Sequence, residues 1–214
     1  MSVTIESTIL VFAKAPIAGT VKTRLIPLLG AAGAATLQER LITHALAVAR
    51  AAMPGRLELW CAPDTTHPFL QTAAQSRGAT LHAQQGSDLG ERMAHAFTTT
   101  LRTAGYVICI GTDCPALTAQ HLHHAAAALR DGHDAVFVPA EDGGYALIGL
   151  ARNAPQLFEH ITWGGSQVMA QTRTRLCELE LRWHELATLW DVDRPEDWQR
   201  LQQSGLLRDT PSPA

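Results

Sequence analysis

The chain has 214 residues, of which 46% are hydrophobic and 17% charged, and a formal net charge of −3. This length suits a single α/β domain spanning residues 1–207 and is enough to bury roughly 70% of the unfolded surface. A charge this close to neutral excludes a global basic field for a nucleic-acid backbone, so a phosphate ligand has to be met by a local cluster of cations.

In chain order, Thr8–Ala13 is a continuous apolar run, the pattern of a strand buried on both faces. Ala31–Ala52 is alanine-rich, with Leu37, Leu41, Ala45 and Val48 at helical spacing. A second strand is expected at Arg56–Ala62, a short helix at Pro68–Ser76 with Pro68 in its first turn, and a weaker strand at Ala79–Ala83. Asp88–Thr103 reads as a helix opened by Asp88 and Glu91 at capping-box spacing. Tyr106–Ile110 is a buried strand, Thr118–Arg130 a helix, and Ala135–Val138 and Tyr145–Leu150 two more strands. A helix at Ser166–Cys177, a late strand at Leu179–Leu186 and a last helix at Pro195–Gln203 complete the series; residues 208–214 are expected to be a disordered tail.

Alternating strands and helices imply a mostly parallel, doubly wound sheet with helices on both faces. Only Pro139–Gly144 separates two of the strands, too few residues for a parallel crossover. Either those strands run antiparallel, giving a mixed sheet, or one of them is not a strand.

Several side features point to a plain cytoplasmic protein. The N-terminus has no basic stretch, and the first apolar run, Ile9–Ala13, is far too short to span a membrane. Cys61, Cys109, Cys114 and Cys177 form no CxxC pair, which suits buried reduced thiols. The cluster His121, His123 and His124 reads as a solvated helix face rather than a metal site.

Ligands of open α/β sheets bind beyond the carboxyl ends of the strands, so the loops after strands carry the argument. Phe12–Leu25 comes directly after the first strand and holds both lysines of the chain, Lys14 and Lys22, together with Arg24. Pro16 and Gly19 let its backbone turn tightly and approach a ligand. Arginine suits bidentate phosphate contact and lysine acts as a point charge, so Ala13, Lys14, Ala15, Gly19, Lys22 and Arg24 are the phosphate-binding candidates. The spacing of Gly19 and Lys22 is not that of a Walker A loop. The alternative is a solvated basic loop.

Asp113 ends the turn Gly111-Thr-Asp after a buried strand, a place suited to Mg²⁺ or Mn²⁺ or to capping the turn. In Glu141-Asp-Gly-Gly-Tyr145, Asp142 is a candidate base, metal ligand or acceptor-binding group, with Gly143 and Gly144 allowing close approach; a plain hairpin turn is equally open. Asp191-Val-Asp193 puts two carboxylates at alternate positions of an extended segment, where they could share a metal, although Asp193 before Pro195 also reads as a helix cap. Gln85, Asp88 and Arg92 are candidates for reading a base or sugar, and Trp163-Gly-Gly-Ser166 for closing over an acceptor.

Together, Phe12-Ala-Lys-Ala-Pro with Gly19 and Val-Lys-Thr-Arg-Leu25, Asp88-Leu-Gly-Glu-Arg-Met93, Gly111-Thr-Asp-Cys-Pro115, Asp142-Gly-Gly-Tyr145, Trp163 and Asp191-Val-Asp193 resemble the DUF2064 family over roughly residues 8–200. Members of that family are described as candidate glycosyltransferases of the kind associated with radical-SAM and arsenosugar gene clusters. The resemblance implies a three-layer α/β/α, Rossmann-like GT-A fold of the nucleotide-diphospho-sugar transferase superfamily. It places the nucleotide phosphates on Lys14, Lys22 and Arg24. Asp113 takes the metal position, as a single aspartate where typical GT-A enzymes have Asp-x-Asp.

Three functions fit these residues. In the first, a glycosyltransferase, Asp113, with Asp193, holds Mg²⁺ or Mn²⁺ against a nucleotide-sugar diphosphate while Asp142 orients or deprotonates a small acceptor. The single aspartate is also similar to the molybdenum-cofactor and phospholactate guanylyltransferases, which implies a nucleotidyltransferase using a nucleoside triphosphate and releasing pyrophosphate. The third is a non-catalytic nucleotide sensor.

Overall fold

The apolar run near the N-terminus forms strand β1 (Ser7–Lys14), whose residues from Thr8 to Val11 are all buried. The computed structural model describes residues 7–52 and 55–207, so the expected tail at 208–214 lies outside the described residues. After β1 come a 3₁₀ turn (Thr23–Leu25) and helix α1 (Ile26–Ala52), in which Gly30, at φ +70°, breaks the helical path. The chain continues through β2 (Arg56–Ala62), α2 (Pro68–Arg77), β3 (Thr80–Ala83), α3 (Leu89–Thr100) and β4 (Tyr106–Ile110). The second half holds α4 (Ala119–Arg130), β5 (Ala135–Pro139), β6 (Tyr145–Leu150), α5 (Val168–Glu178), β7 (Trp183–Glu185) and α6 (Pro195–Ser204).

The seven strands form one sheet in the order β3-β2-β1-β4-β6-β5-β7. Strand β6 runs antiparallel to both β4 and β5, and the other pairs are parallel. The short Pro139–Gly144 connection produces this reversal. Gly143 at φ +90° closes the turn onto Ala140, while Asp142 Oδ1 accepts a hydrogen bond from Gly144 N at 2.8 Å.

Alternation along the strands builds two cores. Ile9, Val11, Leu59, Ile108 and Val138 pack against α1, α2 and α4. Leu10, Trp60, Val107, Phe137 and Ile148 pack against α3 and α5 on the other face. The result is the three-layer α/β/α arrangement with a mixed, mostly parallel sheet.

Three departures from expectation have local causes. Helix α3 begins after Asp88, which caps it by accepting from Glu91 N at 2.9 Å. The Glu91 carboxylate binds Ser87 rather than returning to Asp88, so the reciprocal capping box does not form. The late strand is only three residues long, because Glu180 at φ +52° and Leu181, bonded back to Leu176, close the end of α5. Asp193 does not cap α6: the Asp197 carboxylate accepts from the backbone of Arg194 at 2.7 Å and of Asp193 at 3.1 Å.

Among the described residues, no helix is long and apolar enough to cross a membrane.

Candidate functional site

Strand order reverses between β1 and β4, and the loops leaving their carboxyl ends part there to form a cleft of about 580 Å³. From the loop after β1 the cleft takes Ala13, Lys14 and Lys22. The β4 turn gives Thr112 and Asp113, the β5–β6 turn Asp142 and Gly144, and the segment before α6 Asp191 and Asp193. Phe12, Leu89, Tyr145 and Trp163 line its apolar side.

Lys22 is not a solvated cation. Its side chain is only 4% exposed, and its Nζ lies 2.7 Å from Asp113 Oδ1 and 2.8 Å from the carbonyl oxygen of Val192. Its backbone is left-handed, at φ +47°, a conformation that costs a non-glycine residue about 1–2 kcal/mol. Asp113 itself is 55% exposed, its other face open to the cleft. Thr112 Oγ donates to Asp113 Oδ1 at 3.3 Å, and Gln38 Nε2, from α1, donates to Thr112 Oγ at 3.3 Å.

The segment before α6 is sewn to the sheet ends. Leu189 N donates to Pro139 O, Glu141 N to Leu189 O, and Val192 N to Asp113 O at 2.8 Å. Asp191 is thereby held half-buried, facing other acids. Burial first, then the Asp142 and Asp113 carboxylates, push its pKa up to about 6. The Cys114 thiol nearby is pushed to about 12, mainly by burial, with Asp191 and Asp113 adding to the effect. Asp193, two residues on, forms an ion pair with Arg24 instead.

The apolar wall is held by two glycines. A Cβ on Gly90 would stand 2.3 Å from Trp163 Nε1, and one on Gly143 would stand 2.0 Å from Ser166 O. Only glycine lets the Trp163–Ser166 segment pack onto both α3 and the β5–β6 turn. Trp163 meets Tyr145 edge to face, with ring centroids 6.5 Å apart.

The cleft therefore brings together Ala13, Lys14, Lys22, Asp113, Asp142, Gly144, Trp163 and Asp193 of the expected residues. Gly143 supports the wall from behind. Ala15 and Gly19 shape the first loop without lining the cleft, and Arg24 reaches it only through Asp193. Gln85 is exposed and does not line the cleft, and neither does Asp88, whose Oδ1 caps α3. Arg92, the third residue of that expected set, does line the cleft, as does Gln84, whose Nε2 donates to Trp60 O at 2.9 Å. Asp191, Gln38, Thr112 and Tyr145 are further lining residues. The alternate spacing of Asp191 and Asp193 flags that segment, but nothing local marks Gln38, which faces Thr112 from 74 residues away.

As a cation site, the cleft offers a group of carboxylates where Asp191 faces Asp142 and Asp113. Among the described residues, no three acidic, histidine or cysteine groups gather closely enough to form a complete ligand set. This donor set fits a hard cation that takes one or two carboxylates and completes its shell with phosphate oxygens and water.

The model of a family described as "Uncharacterized protein conserved in bacteria (DUF2064)" matches residues 45–165. A crystal structure from Desulfovibrio desulfuricans G20, of a protein provisionally named a nucleotide-diphospho-sugar transferase, is 31% identical. It aligns with 95% of this chain and 89% of its own, at a TM-score of 0.84. Two more distant structures share the fold. One is a CMP:2-keto-3-deoxy-manno-octonic acid synthetase complexed with CTP (14% identity, 93% of this chain and 98% of that one, TM-score 0.58). The other is the glucosyl-3-phosphoglycerate synthase of Mycobacterium tuberculosis with Mn²⁺, UDP and glucosyl-3-phosphoglycerate (12%, 97% and 77%, TM-score 0.55). No curated protein matches the chain in sequence.

Proposed function

Given that the chain belongs to the DUF2064 family, we propose that it is a glycosyltransferase that moves a sugar from a nucleotide-diphosphate donor to a small acceptor. One observation carries this reading: the basic loop after β1 and the acidic β4 turn meet, through Lys22 and Asp113, in one cleft at the point where strand order reverses. A diphosphate bound there would lie between cationic and acidic walls, the arrangement that a diphosphate bridged to a cation requires.

Each wall then has a task. Lys14 and Arg92 present positive charge to the donor phosphates. Asp142 orients an acceptor hydroxyl and takes its proton as the hydroxyl oxygen bonds to the anomeric carbon. The bond from that carbon to the phosphate oxygen breaks, and the nucleoside diphosphate leaves with the electron pair. Tyr145 and Trp163 exclude water from the acceptor side. Mg²⁺ or Mn²⁺, held by Asp113 with Asp191 or Asp193, would neutralise the leaving diphosphate.

A second reading is nucleotidyl transfer, favoured by the single aspartate that the Gly111-Thr112-Asp113 turn presents. An acceptor oxygen would then attack the α-phosphorus of a nucleoside triphosphate and expel pyrophosphate. Incubation with Mg²⁺ or Mn²⁺ and either UDP- and GDP-sugars or nucleoside triphosphates separates the two. Release of nucleoside diphosphate from a sugar nucleotide is the expected result; release of pyrophosphate from a triphosphate overturns it in favour of the second. Nucleotide binding without turnover on any acceptor, with affinity unchanged in Asp113→Ala or Asp193→Ala, would mark a nucleotide sensor.

A further inference from the structure

The loop after β1 carries the only two lysines of the chain, and they occupy opposite environments. Lys14 is exposed at the cleft, with its charge available to a ligand. Lys22 is buried, and its ammonium pairs with Asp113 Oδ1 at 2.7 Å and donates a hydrogen bond to Val192 O at 2.8 Å. These partners lie on two other loops, 91 residues and 170 residues away.

We infer that Lys22 is a positioning residue: its ammonium ties the segment carrying Asp191 to the β4 turn carrying Asp113, and it does not itself contact the donor phosphates. Geometry supports this in three ways. Val192 is fully buried between Leu25, Leu37 and Trp190, so the segment is anchored at its apolar side chain. Its backbone N–H donates to Asp113 O while its carbonyl accepts from Lys22, so the β4 turn and the ammonium clasp one residue from both sides. The left-handed backbone at Lys22 directs the side chain inward at a conformational cost that an unanchored lysine would not sustain. Were Lys22 to swing onto a phosphate, it would leave the Val192 carbonyl unpaired and release Asp113. Phosphate contact from this loop falls to Lys14.

This role lies within the cleft proposed above, but its first test needs no nucleotide. With ¹⁵N-lysine labelling the full chain gives two side-chain signals, assigned by Lys14→Arg. In the free protein, the Lys22 ammonium protons should exchange slowly with water and those of Lys14 rapidly. Added inorganic pyrophosphate with Mg²⁺ should shift the Lys14 signal and leave that of Lys22 in place. In Lys22→Met, amide hydrogen exchange in residues 190–193 should accelerate at least about tenfold, as expected for loss of a charge-assisted hydrogen bond, while β1 and β2 stay unchanged.

Fast exchange of the Lys22 ammonium in the free protein overturns the inference, as does a Lys22 signal that moves with pyrophosphate. So does unaltered exchange in residues 190–193. Should Lys22→Met fail to fold, the wild-type signals still decide. If pyrophosphate moves neither lysine, the diphosphate reading of the cleft fails, and the role of Lys22 is judged on the exchange data alone.

Discussion

Replacing Asp191 by Asn should stabilise the cation-free protein at neutral pH and leave it unchanged in acid. Burial and the facing carboxylates of Asp142 and Asp113 raise the Asp191 pKa from its ordinary 3.8 to about 6. At about 1.4 kcal/mol per pKa unit, the charged form carries a penalty of at most about 3 kcal/mol in the folded state. Asp191 keeps partial contact with solvent and Asn must itself be desolvated, so about 1–2 kcal/mol is the realistic gain. The sign comes from linkage. Between about pH 4 and pH 6 the folded chain holds a proton that the unfolded chain has released, so wild-type stability falls as pH rises through that window. Above it the penalty is complete; below it both states are protonated and the penalty vanishes. In EDTA, thermal melts should show Asp191→Asn about 3–6 °C higher than wild type at pH 7.5, with the difference shrinking toward zero near pH 4. A gain of equal size at both pH values, or a loss at pH 7.5, would refute the claim that Asp191 is held charged against its neighbours.

The same contacts set other outcomes. Gly143→Ala should cost about 2–4 kcal/mol by denaturant melt, because its Cβ would meet Ser166 O at 2.0 Å and its φ is +90°. Gly111→Ala, with open space and no left-handed backbone, should be close to neutral and serves as the control. Lys14→Met should weaken pyrophosphate binding by about tenfold in calorimetry at low salt, with the deficit narrowing as ionic strength rises. Iodoacetamide at pH 8 should label the native protein at one cysteine: Cys177 is exposed, Cys109 is buried, and burial above all pushes the Cys61 and Cys114 thiols up to about 12. Labelling of Cys61 or Cys114 at a comparable rate would show that the strand ends open far more than their packing implies.

The strands and their layers are legible in the sequence because they rest on local pattern. The runs Thr8–Ala13 and Tyr106–Ile110 announce strands covered on both faces, and the short Pro139–Gly144 stretch admits only a reversal if both flanks are strands. The loops that carry chemistry are legible too, since a cleft at the carboxyl ends of the strands must be built from the loops that leave those ends. Side-chain roles within those loops are less so. Of the three candidate readers Gln85, Asp88 and Arg92, only Arg92 lines the cleft; Asp88 caps a helix, and a one-residue change of facing gives the cleft Gln84 rather than Gln85.

The sequence by itself thus determined the α/β class, the mixed sheet and the set of loops that meet at its switch point, each written in contacts between near neighbours along the chain. Only the tertiary structure decided which charges are paired and which are set against one another. Lys22 with Asp113 and Val192, Arg24 with Asp193, and Asp191 against Asp142 join residues from about 50 to 170 positions apart. No local spacing encodes such partners, because a charge's effect depends on the groups the fold brings within a few ångströms of it and on how much water it keeps.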